Sequence, residues 1–146
     1  PRIILADEPT SMLDVSIKSS ILNLMLKLRQ EHKIAFIHVT HDLASARYIS
    51  DRIIVMYAGM ILEEGKAQEI VKMPLHPYTR LLLKAFPDPK GGKEELGDLG
   101  EPPSLINPPL GCPFEPRCKY RRDECENLPI LYSVNDRKVR CVLYKN

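Results

Sequence analysis

The sequence predicts an α/β fold, and three observations carry that reading. Two short apolar runs, Ile3 to Ala6 and Ala35 to Val39, flank one long stretch with helical periodicity. Strand, helix, strand is the grammar of a parallel sheet with crossover helices. The composition then shifts near residue 86. Residues 87–146 hold nine of the 13 prolines, five of the seven glycines and all four cysteines. The expectation is an incomplete parallel sheet with helices over residues 1–86, followed by a small, irregular Pro/Cys-rich extension over 87–146.

Each element has its own local signal. Ile3-Ile4-Leu5-Ala6 is apolar throughout, the pattern of a strand buried on both faces. Ile17, Ile21, Leu24, Met25 and Leu28 recur at helical spacing, which predicts a helix from Val15 to Glu31 with this stripe as its core face and Asp14 as N-cap. Ala35 to Val39 reads as a second buried strand, and residues 42–50 as a short helix starting at Asp42. Ile53–Tyr57 and Met60–Glu63 flank Ala58-Gly59, which predicts a hairpin. Helices follow near 66–72 and 77–85, the second with Pro77 in its first turn. Asp88 to Pro109 is rich in Gly, Pro and charge and reads as a linker or extended segment.

Composition excludes several classes. Of the 146 residues, 44% are apolar and 27% charged, which places the chain among globular proteins rather than disordered or collagenous ones. The net charge of +2, from 21 basic and 19 acidic residues, gives no reason to expect a nucleic-acid partner. The longest uncharged run, Pro102 to Phe114, spans 13 residues and contains five prolines, too short and too broken to cross a bilayer. No signal peptide is visible. The chain opens on Pro1 and enters an apolar strand at once, which is expected of a piece of something longer.

The chemistry gathers at the strand ends. The first strand runs into Asp7-Glu8, and ligands of parallel α/β sheets collect at the carboxyl ends of strands. A carboxylate there can hold magnesium, and a second can orient or deprotonate a water. Alone, this pair reads more readily as a charged strand end turned to solvent. Thirty-three residues after Glu8, at His41, the second strand has given way to Thr40-His41-Asp42. His38 and His41 form an H-x-x-H pair, but residues three apart on a strand face opposite ways, so joint metal binding is not expected. His32 reads as a solvated helix-end residue.

The whole order, Ile-Leu-Ala-Asp-Glu-Pro-Thr-Ser-Met-Leu-Asp and then Val-Thr-His-Asp, resembles the ATPase subunits of ABC transporters over residues 1–64. The resemblance implies a partial P-loop NTPase sheet. It implies that Asp7 is the Walker B aspartate holding magnesium, that Glu8 is the catalytic base, and that His41 is the switch histidine contacting the γ-phosphate of ATP. It places Ser11 to Asp14 in the D-loop that meets the partner ATPase, with Ser11 and Asp14 among the nucleotide-site residues. Met12 departs from the small residue usual in the family. No G-x-x-x-x-G-K-[ST] phosphate loop and no Leu-Ser-Gly-Gly-Gln type signature occurs in these 146 residues. The chain alone is therefore expected not to hydrolyse ATP, and its unpaired strand edges and uncovered apolar face are expected to favour self-association.

Pro74-Leu75-His76-Pro77-Tyr78-Thr79-Arg80 and Gly111-Cys112-Pro113-Phe114-Glu115-Pro116-Arg117-Cys118 are similar to the oligopeptide/dipeptide branch of ABC importers. That implies peptide uptake, a second ATPase subunit, membrane permease subunits, an external peptide-binding protein and a place at the cytoplasmic face of the membrane. Cys112, Cys118, Cys125 and Cys141 follow a C-x5-C-x6-C-x15-C spacing, unlike a C-x2-C zinc ribbon. Some relatives in this branch carry a [4Fe–4S] cluster on matching cysteines, which implies that role for all four. Zinc, free half-buried thiols and disulfides remain alternatives. A staple of this kind would hold a tail with little apolar core. Arg117, Lys119, Arg121 and Arg122 read as a solvated or cluster-flanking basic face. Two competing readings are a metal- or cluster-binding interaction module and the ATPase of a nickel or other-solute importer.

Overall fold

The computed structural model describes residues 1–85, 101, 103–104 and 106–145. Packing divides the chain into two compact units, Pro1–Asp51 and Arg52–Asn146. The boundary expected at 86/87 and much of the Asp88–Pro109 linker lie outside the described residues.

In the first unit, β1 (Ile3–Asp7) and β2 (Ala35–Val39) pair in parallel, Ile3 opposite Ala35 through Asp7 opposite Val39. Between them runs α1 (Val15–His32), and α2 (Leu43–Ile49) follows. Asp14 caps α1 as expected, its Oδ1 accepting the Ser16 and Ile17 N–H groups at 3.1 and 3.0 Å. Asp42 caps α2 through the Ala44 N–H at 2.9 Å and pairs with the Lys18 ammonium. Leu22, Met25 and Ile49 form the core, with Ala6, Ile21, Leu26 and Phe36 against it.

Two expectations change here. The core stripe of α1 is rotated: Leu22 is buried, whereas Ile17 and Leu24 are exposed. The strands are covered on one face only, and Ile3, Leu5, Ile37 and Val39 are each at least 47% exposed on the other. Side chains alternate across a sheet, and α1 and α2 supply cover for a single face.

The second unit is an antiparallel sheet of order β3-β4-β6-β5. β3 (Arg52–Tyr57) and β4 (Met60–Lys66) form the expected hairpin through Ala58 (φ 46°) and Gly59 (φ 77°), the doubly left-handed turn that matches strand twist. α3 (Ala67–Lys72) and α4 (Pro77–Ala85) follow. The tail is less irregular than its composition predicts. β5 (Tyr132–Val134) and β6 (Arg137–Val139) form a second hairpin, and β6 pairs with β4, Glu63 opposite Val139. Short 3-10 turns at Glu115–Arg117, Asp123–Glu126 and Val142–Tyr144 complete it.

The tail therefore shares one core with residues 52–85. Leu62, Cys112, Phe114, Cys125 and Val142 are buried together, with Tyr57, Tyr78, Leu81 and Cys118 against them. Tyr57 meets Phe114 edge-on at 5.6 Å between centroids, and Tyr78 lies 5.3 Å from the same ring. Among the described residues no helix is long and apolar enough to cross a membrane.

Candidate functional site

The carboxyl ends of β1 and β2 bring Glu8 and His41 together. Asp7 ends β1 opposite Val39, and the Glu8 N–H continues the pairing to the Val39 carbonyl at 2.9 Å. Glu8 then turns the chain with φ at 42°, a left-handed conformation that non-glycine residues rarely adopt. The turn is closed by Ser11, whose N–H and hydroxyl both donate to the Glu8 carbonyl, at 3.2 and 3.1 Å. The sharp exit leaves the Glu8 carboxylate free to meet His41, with Oε1 2.9 Å from Nδ1. The pair is open to solvent, with side-chain exposures of 45% for Glu8 and 74% for His41. Asp7 is exposed beside them.

The other two predicted nucleotide-site residues have local roles. Ser11 contacts the backbone of Glu8. Asp14 is engaged as the cap of α1, and the Ile17 N–H, together with the Ser16 hydroxyl, holds its carboxyl below the usual aspartate range. His38 lies apart from His41, on the strand itself, and neither of its ring nitrogens finds a hydrogen-bond partner among the described residues.

The second unit holds the cysteines. All four are free thiols, and they line one small cavity together with His76, Glu115 and Tyr120. Gly111 and the Cys112 N–H···O=C Cys125 bond of 2.9 Å bring two of them side by side. Burial pushes the Cys112 thiol up to about 11, and burial raises Cys118 and Cys141 as well. The backbone amides two residues ahead oppose that rise in three cases: Phe114 for Cys112, Tyr120 for Cys118 and Leu143 for Cys141. Amide donors of this kind stabilise and tune metal-bound thiolates. The donor set fits a soft metal or cluster in kind, but among the described residues no three ligand side chains stand together as a ready-made metal site. The basic residues nearby are partly engaged: Arg121 pairs with Glu115, and Arg117 donates to the Tyr57 hydroxyl at 3.0 Å.

In the sequence His76 stands out only as part of the peptide-importer motif, yet it sits at the cysteine cavity. Its burial beside the cysteines could not be read from spacing, since 36 residues separate His76 from Cys112.

Residues 62–125 match the family model described as oligopeptide/dipeptide transporter, C-terminal region. The dipeptide transport ATP-binding protein DppD of Haemophilus influenzae is 43% identical over 143 residues, which cover 97% of this chain and 43% of that protein. The oligopeptide transport ATP-binding protein OppF of Escherichia coli is 44% identical over 147 residues, covering 97% of this chain and 44% of its own length. Over nearly its whole length the chain is similar to part of these peptide-transport ATP-binding proteins. The di/tripeptide transport ATP-binding protein DppF of Pseudomonas aeruginosa is 42% identical, again over 97% of this chain and 45% of the relative. The chain thus spans less than half the length of these curated relatives.

Proposed function

We propose that these residues form part of the ATPase engine of an oligopeptide or dipeptide importer, acting at the cytoplasmic face of a membrane with a second ATPase subunit and permease subunits. The observation that supports this best is the 2.9 Å contact between Glu8 and His41 at the ends of two parallel strands. A carboxylate held there can accept a proton from an attacking water, and the imidazole keeps it oriented and is placed to meet a phosphate oxygen. Asp7 would hold magnesium, which neutralises phosphate charge when bound. Ser11 and Asp14, by fixing the turn and the start of α1, would shape the surface offered to the second ATPase.

In an ATPase carrying these residues, Glu8→Gln is expected to lower kcat by about 100-fold or more while the KM for ATP changes little. Unchanged turnover would remove Glu8 from the role of base. The 146-residue chain alone lacks a phosphate loop and is expected to show no magnesium-dependent hydrolysis above its own Glu8→Gln control.

The four cysteines, in this reading, hold a [4Fe–4S] cluster as a structural or redox-sensing staple. The shared cavity supports it, and the Phe114, Tyr120 and Leu143 amides favour the thiolate forms of Cys112, Cys118 and Cys141. Such a cluster supplies crosslinking and one-electron chemistry when bound. The chain's own part is to present four thiols whose deprotonation only a cationic centre would favour.

A further inference from the structure

The segment His76 to Arg80 stands against the loop that carries Cys141, and the reading above assigns it nothing. His76 is 1% exposed and lines the cysteine cavity. Its Nδ1 accepts the Tyr78 N–H at 3.0 Å, so the neutral ring carries its proton on Nε2. The ring also faces the backbone of Arg140. An Nε2 proton there can be shared only with the carbonyl, which sets the imidazole against the peptide that leads into Cys141. With Nδ1 engaged and Nε2 protonated, His76 has no lone pair to offer a metal.

Arg80 grips the other side. One guanidinium nitrogen donates to the Tyr144 hydroxyl at 3.1 Å, and that hydroxyl donates to the Leu75 carbonyl at 3.1 Å. The Tyr144 N–H bonds the Cys141 carbonyl at 3.1 Å. Arg80 is itself braced, with Nε on the Pro74 carbonyl at 3.1 Å and its guanidinium carbon 5.8 Å from the centre of the Tyr120 ring.

We propose that His76 and Arg80 are positioning residues of the cysteine site: the imidazole fixes the peptide before Cys141 and the guanidinium fixes Tyr144 after it, so that the Cys141 thiol is held at the cavity. The metal-binding side of this inference rests on the four-cysteine reading above; the anchoring of Cys141 does not. Arg80 lies in α4 and His76 immediately precedes it, so the start of the helix and the cysteine site are mechanically joined. The same arrangement explains why a histidine and an arginine four residues apart both face the tail, one helical turn separating them.

The test uses the 146-residue chain as wild type, His76→Gln, Arg80→Gln and Arg80→Lys. In metal-free protein, alkylation by iodoacetamide is followed at each cysteine by peptide mass. Cys141 is expected to react about five- to tenfold faster in His76→Gln and Arg80→Gln, the factor for one lost hydrogen bond. Cys125 should hold its rate, and Arg80→Lys should recover most of the protection. Equal Cys141 rates in all four proteins overturn the proposal, as does a uniform rise at every cysteine, which reports unfolding instead.

Titration with cobalt(II) alone, read at the thiolate-to-cobalt charge-transfer band, should show about 10- to 100-fold weaker binding in the two Gln variants. Equal affinity in wild type and variants overturns the metal-positioning role. A wild type without that band, combined with faster Cys141 labelling in the variants, rejects the metal reading of the cysteines and supports the anchoring of Cys141.

Discussion

Gly111 has space for a hydrogen and nothing more. A Cβ there would meet the Cys125 carbonyl oxygen at 2.1 Å and the Glu126 carbonyl at 2.6 Å. This close approach of two backbones seats Cys112 beside Cys125. The motif around Gly111 was legible, but the reason for its glycine was not, because the 3-10 turn it touches lies 14 residues on. His76 teaches the same lesson through charge. Burial drives it from the ordinary histidine value of 6.5 to about 4, with the nearby Arg80 adding to the effect. Between those values the unfolded chain binds the extra proton, so stability rises with pH and is lost as pH falls from 6.5 toward 4. Urea unfolding of the second unit is expected to be weaker at pH 5 than at pH 7 by roughly 2 kcal/mol. His76→Gln should flatten that difference, and an unflattened slope would show that another group carries it.

At the scale of elements, local signals performed well where local physics decides. Asp14, Asp42, the Ala58-Gly59 turn and Pro77 each mark an element boundary that the structure keeps, because caps and turns are settled within a few residues. The misses involve partners far along the chain. The core face of α1 follows which residues β2 and α2 cover, so Leu22 displaces Ile17. The β5–β6 hairpin had one usable signal, Asn135-Asp136, where Asn135 takes a φ of 54°. Its strands are only three residues each and gain stability by pairing with β4.

Arg137 ties that hairpin down. It donates to the Glu69 and Met73 carbonyls at the end of α3 and lies 3.8 Å from the buried Glu63 carboxylate. Glu63 in turn accepts the Leu75 and His76 N–H groups, each at 2.9 Å. Gly65 leaves room for the arginine, since a Cβ there would stand 2.7 Å from its side chain. Arg137→Leu strands the Glu63 charge and is expected to cost about 3–5 kcal/mol, measured by urea denaturation. Glu63→Gln combined with Arg137→Leu should recover part of the loss; no recovery would mean that the arginine acts through the α3 carbonyls and Glu69 rather than through Glu63.

For the molecule as a whole, the tail is part of a fold rather than an appendage. β4 lies between β3 and β6, and Leu62 is fully buried within a core drawn mostly from residues 112–142. Removing residues 87–146 is therefore expected to melt residues 52–86 as well, while the first unit, with its own core, keeps its helices. Hydrogen exchange on the shortened chain checks this directly: protected amides in β3 and β4 would contradict it. The exposed row of Ile3, Leu5, Ile37 and Val39 bears on association. An apolar face of this kind favours self-association. Light scattering is expected to show species larger than one chain at micromolar concentration, and a monodisperse monomer would count against it.

The sequence by itself determined the order and type of the elements in residues 1–85, the Asp-Glu strand end and its distant histidine, and the likeness of the chain to peptide-transport ATP-binding proteins. Those features depend on side-chain periodicity, capping and short motifs, which are local along the chain. Only the tertiary structure decided that Glu8 and His41 touch, that the tail completes the second sheet, and that His76 and Arg80 hold the loop of Cys141. Those are contacts between residues 33 to 76 positions apart. They form because parallel pairing, shared apolar burial and the satisfaction of buried polar groups select among many arrangements that the linear order alone allows.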